Sequence, residues 1–184
     1  SLLALNPDAI RADKYFLPIL REEDYPDLAR MLMSMDGVPK GALLDAEALI
    51  KGMGLKLFQG VFPENGVMGE IYFSFGLAKI VDPDTGEVRE AKIKPGTVLI
   101  NRAACTNKGM YNGTLLHEGS HFLLAFKHFL LQMTHGHQYC SYLCKRRGQR
   151  RQGGRLTPVD IMEIQANKLP GYLMIDEESG RKKA

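Results

Sequence analysis

The stretch LLHEGSHFLL, residues 115–124, decides how the rest of the chain is interpreted. It holds two histidines four residues apart, His117 and His121, with Glu118 directly after the first. Residues four apart lie on one face of an α-helix, so both imidazoles can converge on one tetrahedral zinc ion. A carboxylate beside them can take a proton from a water molecule whose pKa the metal lowers. The pattern predicts a helix with two zinc ligands, His117 and His121, and a general base, Glu118.

The same five-residue pattern also occurs without a metal. Chance produces it in about one chain of this length in a hundred. His117 and His121 would then be ordinary histidines of a packed or exposed helix face. Either way, the flanking apolar residues belong to the core: Leu115, Leu116, Phe122, Leu123 and Leu124.

A catalytic zinc site needs a third protein ligand and one open position. Lys127 stands where the longer H-E-x-x-H-x-x-G-x-x-H class has its third histidine, so a later glutamate is the better candidate. Glu163 qualifies because it lies among apolar residues of a second predicted helix, where a buried carboxylate requires a cation. A solvent-facing Glu163 is the alternative, since glutamate is rarely buried without a partner.

The second predicted helix has a well-defined start in LTPVDIMEIQANKLPGYLMI, residues 156–175. Thr157 suits the N-cap, Pro158 suits the first helical position, and Asp160 follows three residues after the cap. Pro170 removes one helical hydrogen bond, which predicts a kink or an end of the helix soon after Glu163.

The remaining hydrophobic pattern predicts an α+β fold in one domain. Helical spacing indicates helices within residues 1–52, and alternation indicates a small, mostly antiparallel sheet of three to four strands within residues 53–102. The turn sequence DPDTGE predicts a hairpin over residues 69–93. An active-site helix is predicted next, over residues 106–132, with Thr106 or Asn107 as its cap. It is followed by a basic Cys/His loop region over 133–156, the glutamate helix over 157–176 and a tail over 177–184.

Composition bounds the class of protein. A chain of 184 residues that is 45% hydrophobic and 24% charged is long and apolar enough for one folded core. No apolar run approaches the roughly 18 residues of a membrane span, and SLLALNPDAIR at the start lacks the features of a secretory signal. Three cysteines are an odd number and too few for a disulfide framework. We therefore expect a cytoplasmic protein without a membrane partner, and the net charge of +3 does not by itself indicate a nucleic-acid partner.

Two stretches together carry a resemblance to a known family. TLLHEGSHFLL, residues 114–124, and MEIQANKLPGYLMI, residues 162–175, resemble the H-E-x-x-H and E-x-x-A-N helices of the ImmA/IrrE metallopeptidases, which are small gluzincin-like zinc proteins. The resemblance extends through LDAEALIKGMGLKLF and GTVLINRA and covers residues 40–176. It departs from the family at Leu169, Pro170 and Gly171, where many relatives have F-A-A, and at the end of the helix, where many have L-L-M-P.

The resemblance implies a minimal zincin architecture and a zinc-dependent peptidase. By this resemblance His117, His121 and Glu163 bind Zn²⁺, Glu118 is the general base, and Asn167 orients a ligand histidine. It also implies a protein substrate, a helix-turn-helix repressor of a mobile element or stress response that is cut once. An exposed helix residue is the alternative for Asn167.

No residue of the sequence stands out as the stabiliser of the oxyanion that forms during peptide hydrolysis. Tyr111, His128 and Tyr172 are the candidates, and a structural role is the alternative for each. We also expect an extended peptide to add to an edge strand near TVLINR, residues 97–102.

The segment between the two motif helices lies outside the resemblance. His135, His137, Cys140 and Cys144 are four potential ligands within ten residues, so a second metal site is one interpretation and ordinary buried cysteines are the other. Six of the eleven residues from 145 to 155 are basic. This basic cluster predicts a solvated loop, with a contact to DNA or an acidic partner as the alternative.

Two other classes of function stay open from the sequence. The first is a regulatory or sensor module that binds zinc and cleaves nothing, which would have no need for Glu118. The second is a nucleic-acid-associated protein that uses the basic cluster at residues 145–155.

Overall fold

The computed structural model describes residues 17–34, 44–134, 141–145 and 156–174, which form an α+β fold. The helices are α1 (Asp24–Met33), α2 (Ala46–Gly52), α3 (Lys108–Thr134) and α4 (Pro158–Met174). The strands are β1 (Lys56–Gly60), β2 (Val67–Tyr72), β3 (Gly76–Val81), β4 (Val88–Ile93), β5 (Thr97–Asn101) and β6 (Ser141–Lys145). The predicted fold class is confirmed, and the predicted bounds of the two motif helices differ from the observed ones by two residues or fewer at each end.

The main sheet has four strands in the order β1-β5-β2-β6. β1 and β5 are parallel, whereas β5 with β2 and β2 with β6 are antiparallel. All five residues of β5 are buried, as expected for a strand with neighbours on both sides. The predicted peptide-binding edge at residues 97–102 is therefore wrong, because β1 and β2 occupy both edges of β5.

The hairpin differs from its predicted bounds. β3 and β4 form a separate two-stranded sheet, so the hairpin covers residues 76–93 instead of 69–93. Its turn has the expected chemistry, because the Asp82 side chain accepts hydrogen bonds from the N–H groups of Asp84 and Thr85. The apolar run that starts at Gly69 breaks after Tyr72, and its first part joins the main sheet as β2.

β6 lies within the segment that was predicted to be a loop region. It pairs antiparallel with β2, with Tyr72 opposite Ser141 and Gly69 opposite Cys144. A five-residue strand at a sheet edge carries a weak local signal, and its partner lies about seventy residues earlier in the chain, beyond the reach of pattern-based prediction.

Side-chain caps mark the starts of α2, α3 and α4. Asp45 caps α2, and Asn107 caps α3 by accepting a hydrogen bond from the N–H of the third residue after it. At α4 the cap is reciprocal: the Thr157 hydroxyl accepts from the Asp160 N–H at 3.2 Å, and the Asp160 carboxylate accepts from the Thr157 N–H at 2.8 Å. These local hydrogen bonds fix the starts of both helices that carry motif residues.

α4 continues past Pro170 to Met174. Of the two predicted effects of Pro170, an end of the helix soon after Glu163 is therefore excluded, and the predicted bounds of 157–176 are close to the observed ones. Pro170 is buried, and Leu169 and Leu173 on either side of it also pack into the core. Burial of this apolar face offsets the helical hydrogen bond that the proline removes.

α3 is the central helix of the fold and contacts α2, α4 and the main sheet. Gly119 faces α2, where a Cβ atom at this position would lie 2.6 Å from Ile50 Cδ1 and would displace the end of that side chain. The apolar side chains that are almost fully buried around α3 include Leu32, Leu49, Ile50, Ile71, Ile100, Leu115, Leu116 and Leu169. Among the described helices, none combines the length and the apolar composition that a membrane span requires.

The segment before α1 is bound to α4 by two hydrogen bonds and an ion pair. Gln165 of α4 is buried, and its carbonyl oxygen accepts from the Leu20 N–H at 2.7 Å while its amide donates to the Pro18 carbonyl at 2.9 Å. Glu22 adds an ion pair with Lys168. α4 is thereby held between α3 and the N-terminal part of the described chain.

We expect Gln165→Ala to lower the free energy of unfolding by about 2 kcal/mol, because it removes a buried side chain that bonds two partly buried backbone groups and leaves those groups without partners. Urea denaturation followed by circular dichroism measures the change. Val159→Ala, at a position that is 51% exposed on the same helix, is the control and should change stability by less than about 0.5 kcal/mol. Equal stability of the Gln165 variant and the wild type would contradict this account of how α4 is anchored.

Candidate metal centre

Three side chains from two helices converge at the interface of α3 and α4. His117 and His121 lie one turn apart on α3, and their Nε2 atoms are 2.9 Å from each other. Glu163 of α4 reaches both, with its carboxylate 3.3 Å from His121 Nε2 and 3.8 Å from His117 Nε2. The three predicted ligands are therefore brought together, close enough to bind one metal ion.

The donor set and its spacing fit a tetrahedral ion. Two imidazole nitrogens and one carboxylate oxygen form the ligand set of several catalytic zinc sites. Ligands of a tetrahedral zinc ion at about 2.0–2.1 Å lie about 3.4 Å from one another. The distances of 2.9, 3.3 and 3.8 Å between the nearest donor atoms bracket that value.

His117 is buried in a way that keeps its ring neutral. Burial, followed by the neighbouring imidazole of His121, lowers the pKa of His117 to about 4, although Glu163 and a backbone hydrogen bond with Ala166 act in the opposite direction. A neutral imidazole is the form that binds a metal ion. His117 is thus available as a ligand at neutral pH.

Glu118 is the most deeply buried ionisable group of the centre. Its side chain is fully buried, and neither carboxylate oxygen has a hydrogen-bond partner among the described residues. Burial raises the pKa of Glu118 well above its usual range, and the nearby carboxylates of Glu163 and Glu70 raise it further. A buried carboxylate of this kind is stabilised by a cation, so its position supports the metal site.

Gly69 of β2 is a residue of the centre that sequence reasoning missed. A Cβ atom at Gly69 would lie 2.7 Å from Thr114 Cγ2 and 3.0 Å from Glu118 Oε1. Only glycine therefore lets the backbone of β2 close over Glu118. An isolated glycine inside a strand pattern often marks a close approach of backbone, and this signal could have identified Gly69.

Asn167 contacts a ligand, but not the one that was predicted. Its amide donates to the Glu163 backbone carbonyl at 2.7 Å and to the Glu163 carboxylate at 3.3 Å. The predicted contact with a histidine is thus replaced by one with the carboxylate, because Asn167 lies one turn after Glu163 on the same face of α4.

The predicted oxyanion candidates have structural contacts. The Tyr111 hydroxyl donates to Glu47 of α2 at 2.7 Å, and the Tyr172 hydroxyl donates to Glu22 at 3.2 Å. His128 is buried two helical turns after His121. None of the three belongs to the group of side chains that could hold a metal ion among the described residues.

The predicted second metal site lies largely outside the described residues. His135, His137 and Cys140 fall outside them. Cys144 belongs to β6 by its backbone, and its side chain is not among those described. Residues 146–155, which make up most of the basic cluster, also lie outside the described part of the chain.

Comparison with known proteins adds no assignment to this centre. The chain matches none of the protein-family models and none of the curated protein sequences with which it was compared. The chemistry of the centre is therefore inferred from its own residues. These are two imidazoles, a carboxylate that faces them and a second carboxylate buried beside them.

We expect Glu163→Ala to lower zinc affinity by more than about a hundredfold, because loss of even an outer-shell contact costs 10–100-fold. Competition with a chromogenic chelator measures the affinity, and elemental analysis of the dialysed protein gives the stoichiometry. Glu64→Ala, at an exposed position outside the candidate ligand group, is the control. Unchanged zinc binding by the Glu163 variant would exclude it as a ligand.

The raised pKa of Glu118 predicts a pH-dependent stability of the metal-free protein. The folded state holds the Glu118 proton more tightly than the unfolded state, so this group's stabilising contribution is complete below its unfolded pKa and is lost as pH rises towards its folded pKa. Glu118→Gln removes this loss. We therefore expect the variant to be more stable than the wild type, by a margin that grows from pH 5 to pH 8.

Urea denaturation of both proteins in the presence of a chelator tests this expectation. Comparing the two proteins at each pH removes the contributions of the other titrating groups, among them His117. A stability difference that does not depend on pH would mean that Glu118 is ionised at no cost in the folded state. Glu64→Gln provides a control in which an exposed carboxylate is neutralised in the same way.

Proposed function

We propose that the protein is a zinc-dependent endopeptidase. The observation that carries this proposal is the Glu118 carboxylate, which is buried beside the His117, His121 and Glu163 ligand set. A site that only stores or senses a metal needs its ligands and gains nothing from an additional buried carboxylate. Two histidines and one glutamate with a fourth position for water are typical of zinc peptidases.

The residues of the centre have complementary roles in peptide hydrolysis. A bound zinc ion supplies a Lewis acid that polarises a carbonyl group and lowers the pKa of a water molecule to about 7. Glu118 accepts a proton from the attacking water as its oxygen forms a bond with the peptide carbonyl carbon. Glu118 then returns that proton to the amine nitrogen as the C–N bond breaks. The raised pKa of Glu118 suits this role, because a more basic carboxylate accepts the proton more readily and holds it until it passes to the amine nitrogen.

A peptide substrate needs a backbone edge close to the centre. β2 is the strand whose Gly69 lies against Glu118, and β6 is its outer neighbour. Within the described part of the chain, β6 pairs with β2 alone. We therefore place the extended substrate along β6, where its backbone can add to the sheet.

The resemblance to the ImmA/IrrE metallopeptidases supports the same class of activity. Under this proposal the substrate is a helix-turn-helix repressor of a mobile element or stress response. A repressor of this kind acts on DNA in the cytoplasm, where the protein would meet it. His117, His121 and Glu163 lie close enough to bind one metal ion, which supports the ligand roles that the resemblance implies.

A second candidate function is a zinc-binding module that cleaves nothing. The burial of the centre favours it, because His117, Glu118 and His121 are each 5% exposed or less, and only Glu163 has a substantially exposed side chain. Water and substrate must reach the centre for hydrolysis, whereas a sensor needs only the metal.

We expect Glu118→Gln to lower kcat/KM for peptide cleavage by about 10²–10⁴-fold while zinc content stays unchanged, because the variant keeps all three ligands and loses the proton acceptor. A library of unstructured peptides, supplemented with purified helix-turn-helix repressors, serves as substrate, and mass spectrometry identifies the products. Glu64→Gln is the matched control on the surface. Equal cleavage by wild type and Glu118→Gln would contradict the peptidase mechanism, and full zinc occupancy without cleavage of any substrate would favour the non-cleaving module.

A further inference from the structure

Gln165 lies two residues after the candidate ligand Glu163, but on the other side of α4. A helix turns by about 100° per residue, so side chains two positions apart point in nearly opposite directions. Glu163 faces His117 and His121 of α3, while Gln165 binds the segment before α1. α4 therefore carries, at neighbouring positions, a candidate metal ligand and its own attachment to a distant part of the chain.

The attachment through Gln165 is buried and directional. The Gln165 carbonyl oxygen accepts from the Leu20 N–H at 2.7 Å, and the amide donates to the Pro18 carbonyl at 2.9 Å. Gln165 is 3% exposed, so its amide cannot exchange these bonds for bonds with bulk water. Hydrogen bonds weaken when their length or angle changes. Two of them from one amide therefore resist both rotation of α4 about its axis and sliding along it.

Lys168 and Tyr172 extend the attachment along the same face of α4. They follow Gln165 by three and seven residues, which is the spacing of one helix face. Lys168 forms an ion pair with Glu22, the Tyr172 hydroxyl donates to Glu22 at 3.2 Å, and the Tyr172 ring stacks on Tyr25 with centroids 5.3 Å apart. Ion pairs at the surface contribute little individually. Gln165 is thus the buried part of this attachment.

The other contacts of α4 define its position less sharply. The helix packs into the core through apolar side chains, among them Met162, Leu169 and Leu173, and burial of apolar surface has no preferred direction. The hydrogen bonds of Asn167 with Glu163 lie within α4, so they cannot set the distance of Glu163 from α3. The directional bonds of Gln165 supply what the apolar contact lacks.

We propose that Gln165 is a positioning residue for the metal centre, which holds Glu163 within reach of the two histidines of α3 by binding α4 to Pro18 and Leu20. A metal site requires this precision, because metal–ligand distances vary by only about 0.2 Å. The proposal rests on the metal-binding part of the proposed function. It makes the segment before α1 a support of the centre, although that segment contributes none of the candidate ligands.

Three variants separate the hydrogen bonds of Gln165 from packing and from general stability. Gln165→Met keeps the length of the side chain and loses both bonds. Replacement of Leu20 by its α-hydroxy acid analogue, through nonsense suppression, puts an ester oxygen in place of the N–H and leaves both side chains intact. Ile93→Ala is the control, because it truncates a buried side chain in the smaller core cluster with Tyr72 and Leu99 and so destabilises the fold away from α4.

The first measurement is zinc affinity by chelator competition, with each change made in the wild type and in Glu163→Ala. We expect Gln165→Met to weaken zinc binding by about 10–100-fold in the wild-type background, as loss of an outer-shell contact does. In the Glu163→Ala background it should alter affinity by less than about twofold, because Gln165 acts through Glu163. The Leu20 ester should follow the same pattern with a smaller loss, since one bond remains, and Ile93→Ala should leave affinity unchanged in both backgrounds.

The second measurement is made on the metal-free protein and reports the position of α4 directly. The Glu163 carboxylate lies 3.3 Å from His121 Nε2, so nuclear Overhauser effects should connect the protons of these two side chains. We expect these effects to be lost in Gln165→Met and retained in Ile93→Ala.

The outcomes decide the proposal in either direction. Equal weakening of zinc binding in both backgrounds would overturn it, because Gln165 would then not act through Glu163. Wild-type affinity in Gln165→Met, or an equal loss in Ile93→Ala, would overturn it as well. If Gln165→Met does not fold, the Leu20 ester variant decides by the same comparison of backgrounds. A wild-type protein that binds no zinc would refute the proposed function, and the Overhauser effects would then decide whether Gln165 positions Glu163.

Discussion

Two imidazoles on α3 face a carboxylate on α4 across a buried helix interface, and the rest of the structure is arranged around this contact. Helix α3 supplies His117 and His121 from adjacent turns, and α4 must bring Glu163 within 3.8 Å of both. Neither helix could hold this geometry alone. The sheet and α2 support α3, while Gln165 and the ion pair between Glu22 and Lys168 fasten α4 from the other side.

The same contact concentrates acidic groups where water is excluded. Glu118 and Glu163 lie close enough for each to disfavour the other's charge, and Glu118 has no hydrogen bond to compensate within the described residues. Like charges in a medium of low polarity are costly unless a cation or a proton neutralises them. Burial and the neighbouring carboxylates therefore raise the pKa of Glu118 in the metal-free centre, and a divalent ion held by His117, His121 and Glu163 would lower the cost of ionising that carboxylate. Metal binding and ionisation of Glu118 would be coupled by this electrostatic constraint.

The backbone of β2 completes one wall of the centre. At Gly69, the lack of a side chain lets β2 pack directly on Glu118. Gly69 belongs to neither of the motif patterns that point to the centre, because it reaches Glu118 from a strand about fifty residues earlier in the chain. An isolated glycine in a strand pattern signals a close approach of backbone, but it does not show which residue comes close.

Local patterns in the sequence predicted most of the elements and the three candidate ligands. Four-residue spacing placed His117 and His121 on one helix face. The cap formed by Thr157 and Asp160 fixed the start of α4, and an isolated carboxylate among apolar residues identified Glu163. The sequence carries these three signals because each depends on neighbours within a few residues. The tertiary structure decided what depends on distant neighbours: the burial of β5 between β1 and β2, the pairing of β6 with β2, and the contact of Asn167 with Glu163 instead of a histidine. Strand order and contacts between helices arise from packing between segments far apart in the chain, and no local pattern of side chains encodes which of them meet.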